Sequence, residues 1–399
     1  MLQVSSRTSG LGTENAFVVL KEVNELIAKG EDVVNFCIGQ PDFHTPRNIC
    51  DSAIKAIRDG KHGYTPSPGI PELREAIAEY ISRTRGIPVK PDWVVVANGA
   101  KPFIGFTILS VTDSGKGHEV LYPNPGFPIY STQTVAQGAV PVPLHLLESK
   151  EFSFDVDKLE SLITPRTKLL ILCSPHNPTG GVLSRADLEK IAEIAMKNDL
   201  WVYSDEVYSR MVHDSKFESI ASIPGMLERT ILCDGASKTY AMTGWRLGYA
   251  VNEKLAPYFS TWMTNTTSCP NHMAQWALVE ALTGSQEEPD RMMNIFKERR
   301  GLIVEGLNEV DGIRCLLPGG AFYAWPNVTE LCRMAGAKNS EELRKMLLYE
   351  AKIAVLADIH FGSRPPGEGQ HIRFSYATSN ENIMEGLKRL KNFVRKYRK

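Results

Sequence analysis

The sequence predicts an α/β protein, a three-layer body with a mainly parallel central sheet plus a smaller α+β body. Three observations carry this. From residue 93 onward the chain repeats strand, loop and helix. After Val251 that alternation gives way to mostly helical patterns, with a few strand-like apolar runs near the C-terminus. At 399 residues the chain is longer than one hydrophobic core usually serves. The expected division is an N-terminal arm with part of the small domain at 1–44, a large domain at 45–290 and a small C-terminal domain at 291–399.

In chain order, residues 14–29 place Phe17, Leu20, Val23, Leu26 and Ile27 at helical spacing, with Thr13 as N-cap and Gly30 as the stop. The apolar run 33–38 then leads into Gly39-Gln40-Pro41-Asp42-Phe43, which reads as a chain crossing between the two bodies. Helices are predicted at 46–59 and 71–85, separated by a turn-rich loop that carries Tyr64. Tyr64 is either a surface residue or a hydroxyl offered to a ligand. Residues 93–97 read as a buried strand that turns through Asn98-Gly99-Ala100-Lys101 into a helix at 102–111. Backbone N–H groups at such a turn can hold an anion, although most turns of this kind bind nothing. The next strand, 119–122, is followed by Phe127, fixed between a glycine and a proline and available either to stack on a flat ring or to pack in the core.

Strand 168–173 leads into a loop containing Asn177, and Ser184 caps the following helix with Asp187 at its third position. Strand 200–204 ends on Asp205-Glu206-Val207-Tyr208, a typical place for a functional acid in an open α/β sheet. Strand 230–233 runs into Gly235-Ala236-Ser237-Lys238, with Arg246 eight residues beyond the lysine. A desolvated lysine among small residues can form a Schiff base, and an arginine can grip a phosphate with two parallel hydrogen bonds. If the strands are parallel, Asn98, Asn177, Asp205 and Lys238 converge on one rim. A P-loop reading of 235–239 fails, because Leu232 and Ser237 stand where glycines are needed. A long helix at about 289–310, a helix at 340–351 and an apolar run at 353–356 belong to the second body. Arg373 sits within the strand-like run 371–376. A buried arginine needs an anion, either a substrate carboxylate or a structural acid.

Composition narrows the class. Hydrophobic content of 43% and a formal charge of −1 suggest no electrostatic nucleic-acid or membrane partner. Residues 1–7 lack an apolar core of signal-peptide length, and no run is long enough to span a bilayer. The seven cysteines are odd in number and scattered, which predicts free thiols in a reducing cytoplasm rather than disulfides or a metal site.

Taken together, Gly39 to Phe43, Ser174 to Gly180 (ending Asn-Pro-Thr-Gly), Ser204 to Tyr208, Ser237-Lys238, Thr243 to Arg246 and Arg373 form a collinear set. The set resembles the class I/II aminotransferases of fold type I, the aspartate aminotransferase group, over about residues 14–395. The resemblance implies a three-layer fold type I transferase, a homodimer, and pyridoxal 5′-phosphate held in the large domain at the subunit boundary. Lys238 would form the Schiff base and later move the proton from substrate Cα. Asp205 would keep the ring nitrogen protonated. Tyr208 and Asn177 would hydrogen-bond the phenolic oxygen, and Phe127 would stack on the ring. The backbone at Ala100 and Lys101, the Ser237 hydroxyl and Arg246 would hold the phosphate, with Tyr64 reaching it from the partner subunit. Arg373, Asn177 and the Gly39 backbone would hold the α-carboxylate.

Three positions bear on the substrate. Lys101 would meet the distal carboxylate of an acidic substrate, or serve only as a phosphate or surface charge. Glu14 would either face the site and repel a dicarboxylate or lie in the first helical turn. His360 would be a rim residue or simply solvated. The reaction implied moves the amino group of an L-amino acid, with aspartate the leading candidate, to a 2-oxo acid such as 2-oxoglutarate. Aromatic or neutral donors, and a β-lyase on the same scaffold, are the alternatives. A non-catalytic ligand-sensing module is disfavoured, because the scaffold begins almost at Met1 with no room for a DNA-binding domain.

Overall fold

The computed structural model describes residues 2–5, 8 and 11–398. Its strands are β1 (Val34–Asn35), β2 (Val94–Ala97), β3 (Glu119–Asn124), β4 (Val140–His145), β5 (Thr167–Cys173), β6 (Trp201–Asp205), β7 (Thr230–Gly235), β8 (Gly248–Val251), β9 (Tyr323–Ala324), β10 (Ile353–Ala354), β11 (Leu356–Ala357) and β12 (Ile372–Ser375). The large sheet has seven strands in the order β2-β8-β7-β6-β5-β3-β4. Only β8 runs against its neighbours, so β2 points the same way as β7. The remaining pairs are parallel.

Parallel strands covered on both faces need apolar side chains in continuous runs rather than in alternation. β7 shows how these are shared out. Ile231 and Cys233 pack with Phe103, Ile108 and Phe259 on one face. Leu232 packs with Leu73, Ile77 and Leu278 on the other. β5 does likewise: Leu169 and Ile171 go to the first face, and Leu170 and Leu172 meet Leu188 and Ile191 of the helix Arg185–Lys197 on the second. Three layers result, as the strand-loop-helix repetition predicts. The smaller body contains the antiparallel set β11-β12-β9 and a parallel pair of β1 with β10. Its core includes Phe36, Phe296, Phe322, Phe374 and Leu390, with the helices Glu287–Asn308 and Asn380–Arg395 as its frame.

Predicted ends mostly hold. The helix Pro71–Arg85 keeps both limits, and Ser184 forms a reciprocal capping box with Asp187. The first helix needs two corrections. It spans Asn15–Ala28 with Glu14 at the cap, not Thr13, and Glu14 makes no capping bond. Its buried face is Ala16, Val19 and Val23, while Phe17 and Ile27 are exposed. The sequence carries two apolar stripes here, and the one with smaller side chains fits closely against the body. The run 353–356 also divides, because β10 pairs with β1 and β11 with β12. All seven cysteines are free thiols. Among the described residues, no group of three or more His, Cys, Asp or Glu is placed to hold a metal, and no helix is long and apolar enough to cross a membrane.

Candidate active site

Because β2, β5, β6 and β7 run in one direction, the loops that follow them open at one edge. A cleft of about 580 Å³ lies there, and residues of the smaller body, Tyr323 and Arg373, close its far side.

Lys238 reaches into the cleft from a single helical turn, Ala236–Thr239, directly after β7. Its Nζ donates to the Gly39 carbonyl and sits 5.8 Å from the rings of Tyr208 and Phe322. Burial among these groups lowers the Lys238 amine to about 8; the charge of Glu14 opposes this, and those of Arg373 and Arg246 reinforce it. Asp205 ends β6 and is 8% exposed. Burial pushes its carboxyl up to about 6, against a hydrogen bond from the Tyr130 hydroxyl to Oδ2 at 2.7 Å. Tyr208, in the turn beyond it, is buried, and its hydroxyl lies 2.7 Å from that of Tyr323.

The wall that carries Ala100 and Arg246 is formed by close backbone approach. A Cβ at Gly248 would fall 2.2 Å from the Ala100 nitrogen, so β8 can pass the turn after β2 only as glycine. Arg246 leaves this strand in a left-handed conformation, φ +58°. Its Nη1 donates to the Thr243 carbonyl and its Nη2 to that of Asn98, which brings the guanidinium beside Ala100 and Ser237 at the cleft wall. Phe127 lines the opposite wall, its ring edge-on to Tyr130.

Arg373 is 3% exposed and meets no carboxylate among the described residues. Its Nη1 donates to Asn177 Oδ1 at 2.9 Å and its Nη2 to the Cys37 carbonyl at 2.6 Å, while Nε has no partner among the described residues. A buried guanidinium satisfied only by neutral oxygens leaves its charge uncompensated, and the open direction is the cleft. Among the described residues, the structural acid considered for Arg373 is absent.

Seen together, the cleft has an amine of lowered basicity, a buried acid at a strand end, a close-packed backbone turn flanked by Arg246, and a buried arginine with only neutral partners among the described residues. A model of the family described as aminotransferase class I and II matches residues 31–390. This chain belongs to that family. It is 35% identical to an aspartate aminotransferase of Geobacillus stearothermophilus, over 98% of this chain and 99% of the relative. It superposes on the aspartate aminotransferase from Rhizobium meliloti with a TM-score of 0.92 at 33% identity, covering 99% of both chains. It also superposes on an aromatic aminotransferase from Pyrococcus horikoshii with a TM-score of 0.86 at 35% identity, covering 94% and 99%. The fold type I architecture expected from the motifs is the one these neighbours share.

In this family member the cleft gathers Gly39, Ala100, Lys101, Phe127, Asn177, Asp205, Tyr208, Ser237, Lys238, Arg246 and Arg373. Tyr64 lies outside its own chain's cleft with its ring 89% exposed. Of the two placements weighed for Glu14, the one facing the site holds. Its backbone takes the N-cap position, just before the first helical turn rather than in it and without a capping bond, and its side chain enters the cleft to pair with Lys101 at 2.7 Å. His360 is neither solvated nor in the cleft: its Nε2 lies 3.3 Å from Glu341, and its side chain is 11% exposed. Glu341 is partly buried, which raises its carboxyl, yet the bonds from His360 and Arg344 prevail and hold it at about 2. Sequence reasoning missed Tyr130 and Tyr323. Tyr130 stands in the first turn of the helix Ile129–Ala136, just after Phe127, but nothing local says that its hydroxyl will reach Asp205 across 75 residues. For Tyr323 no local signal exists.

Proposed function

We propose that this chain is a pyridoxal-phosphate-dependent aminotransferase that moves the amino group of an L-amino acid, aspartate first, to a 2-oxo acid such as 2-oxoglutarate. The observation that carries the reading is the buried, uncompensated Arg373 across the cleft from the Lys238 amine. An amino acid brings a carboxylate and an amine on one carbon, and these two groups call for such a pair.

The residues present fit the cofactor. Lys238 is the covalent anchor, and its low basicity favours the neutral nucleophile. The Ala100 and Lys101 backbone, the Ser237 hydroxyl and Arg246 hold the phosphate. Asp205 would keep the ring nitrogen protonated, Phe127 would pack on the ring, and Tyr208 would hydrogen-bond the phenolic oxygen. Asn177 uses its oxygen for Arg373, which leaves its amide nitrogen to donate to that same phenolic oxygen. When bound, pyridoxal phosphate supplies an electron sink for the carbanion left at the substrate Cα. Arg373 fixes the α-carboxylate, aided by the Gly39 backbone, so that the Cα hydrogen faces Lys238. Lys238 then accepts that proton and returns it at the other end of the reaction.

Substrate choice turns on Lys101 and Glu14. An acidic side chain must draw Lys101 away from Glu14, a partly exposed pair worth little by itself. Incubating the holoenzyme with a panel of amino donors and 2-oxoglutarate should yield glutamate, with aspartate among the best donors. Pyruvate and ammonia from a cysteine conjugate, without glutamate, would sink the transaminase reading. In the same panel Lys101→Ser should raise KM about tenfold for aspartate, the scale of one charge-assisted hydrogen bond, and far less for an aromatic donor. Equal effects on both would assign Lys101 to the phosphate or the fold.

The active unit is a homodimer in which Tyr64 reaches the partner's phosphate site. Its exposure on a single chain supports this. Mixing inactive Lys238→Ala and Tyr64 variants should restore part of the activity, because a mixed dimer holds one site with both residues intact. Absence of rescue would count against a shared site.

A further inference from the structure

The motifs assign no role to Tyr323, although it touches three groups that have one. Its side chain is 1% exposed. Its hydroxyl lies 2.7 Å from that of Tyr208. The Arg373 guanidinium stacks 4.4 Å from its ring centroid. A Cβ at Gly39 would fall 2.2 Å from its oxygen, so that glycine leaves room for this hydroxyl, and the same residue's carbonyl accepts from Lys238. Tyr323 stands on β9, paired with the strand that carries Arg373. Tyr208 follows β6 of the large sheet. The contact between the two hydroxyls therefore spans the two bodies at the floor of the cleft.

The direction of this bond follows from counting hydrogens. Each tyrosine hydroxyl has one to give. Among the described residues, the Tyr323 oxygen has Tyr208 as its one side-chain partner. Under the reading given above, the Tyr208 hydrogen goes to the cofactor's phenolic oxygen, so its oxygen is free to accept. The stacked Arg373 charge draws electrons from the Tyr323 ring and makes its O–H a better donor. Successive hydrogen bonds polarise one another, so a donor to Tyr208 strengthens what Tyr208 gives onward.

We propose that Tyr323 is a positioning residue that donates to Tyr208, directing and strengthening the Tyr208 hydrogen bond to the cofactor's phenolic oxygen. The inference rests on the role given to Tyr208 under the proposed function. Its effect is on the proton shared between the Lys238 nitrogen and that oxygen, because donors to the oxygen favour loss of the proton.

The test is a pH titration of the bound cofactor's absorption band in four holoproteins: wild type, Tyr208→Phe, Tyr323→Phe and the double variant. Both single changes keep the ring and its packing. Tyr323→Phe should raise the midpoint by about half a unit, the scale of one hydrogen bond felt through a second. Tyr208→Phe should raise it further, and the double variant should titrate like Tyr208→Phe alone. An unshifted midpoint in Tyr323→Phe, or the same added shift in the Tyr208→Phe background, overturns the relay while leaving Tyr208 in place. A Tyr208→Phe protein that titrates like wild type removes both the role of Tyr208 and the relay.

Discussion

Lys238→Ala should lose the absorption band of the covalently held cofactor and lower kcat by about four orders of magnitude or more, since one residue is both anchor and proton carrier. The variant should still fold, because among the described residues the Lys238 side chain makes one hydrogen bond, to the Gly39 carbonyl, and no ion pair. An unchanged spectrum would refute the assignment. The wild-type amine adds a pH signature. Burial lowers Lys238 to about 8, so the neutral amine is the minor form below that pH and the major form above it. Capture of free pyridoxal phosphate by the cofactor-free protein should accelerate as pH rises through about 8. A rate still rising steeply toward pH 10 would mean an ordinary, solvated lysine.

Arg85→Met should produce the largest loss of stability, about 3–5 kcal/mol in chemical denaturation, because it strands two buried acids. Arg85 is 97% withdrawn from solvent at its side chain, and its Nε donates to Glu206 at 2.9 Å. Its Nη2 donates to Asp234 and to Ser209, each at 2.7 Å. The Glu206 side chain is 1% exposed and that of Asp234 4%. These acids stand beside Asp205 and just before Gly235, so a single guanidinium ties together the strand ends from which Asp205 and Lys238 project. The pH dependence has a definite sign. Burial already pushes the Asp234 carboxyl up to about 7, with Arg85 opposing. A carboxyl whose folded-state pKa lies above its unfolded value binds a proton more tightly when folded. Its contribution to stability therefore falls as pH rises between the two values. Removing Arg85 extends that window upward, so the deficit of the variant should be smaller at pH 5 than at pH 8. A deficit equal at both would show that lost packing, not stranded charge, is responsible.

Much of the site is legible in the chain because strand ends are legible. The end of a buried apolar run marks where a parallel strand gives way to its loop; Asp205 is the last residue of its strand, and Asn177 and Lys238 stand a few residues beyond theirs. Arg373 is visible for the opposite reason, as a charge inside an apolar run. What remains hidden depends on pairs far apart in sequence. Arg85 meets Glu206 and Asp234 across 121 and 149 residues, and no local pattern says which acids a helix-end arginine will find. Glu14 meets Lys101 across 87 residues. Helix rules place Glu14 at the start of a helix and say nothing about the loop that the folded chain brings alongside.

The antiparallel course of β8 appeared only in the structure, while the chain alone determined the layering and the class of chemistry. These follow from periodicity, and from residue types whose spacing survives in any arrangement that buries the apolar runs. The tertiary structure decided which charges are left unbalanced. It paired Glu14 with Lys101 and His360 with Glu341, gave Arg373 only neutral oxygens, and set the Tyr323 hydroxyl against that of Tyr208. Hydrogen bonds and ion pairs depend on separations of a few tenths of an ångström and on burial. Both are set only when distant segments pack, so the identity of the reaction is written along the chain, whereas its tuning is written in the fold.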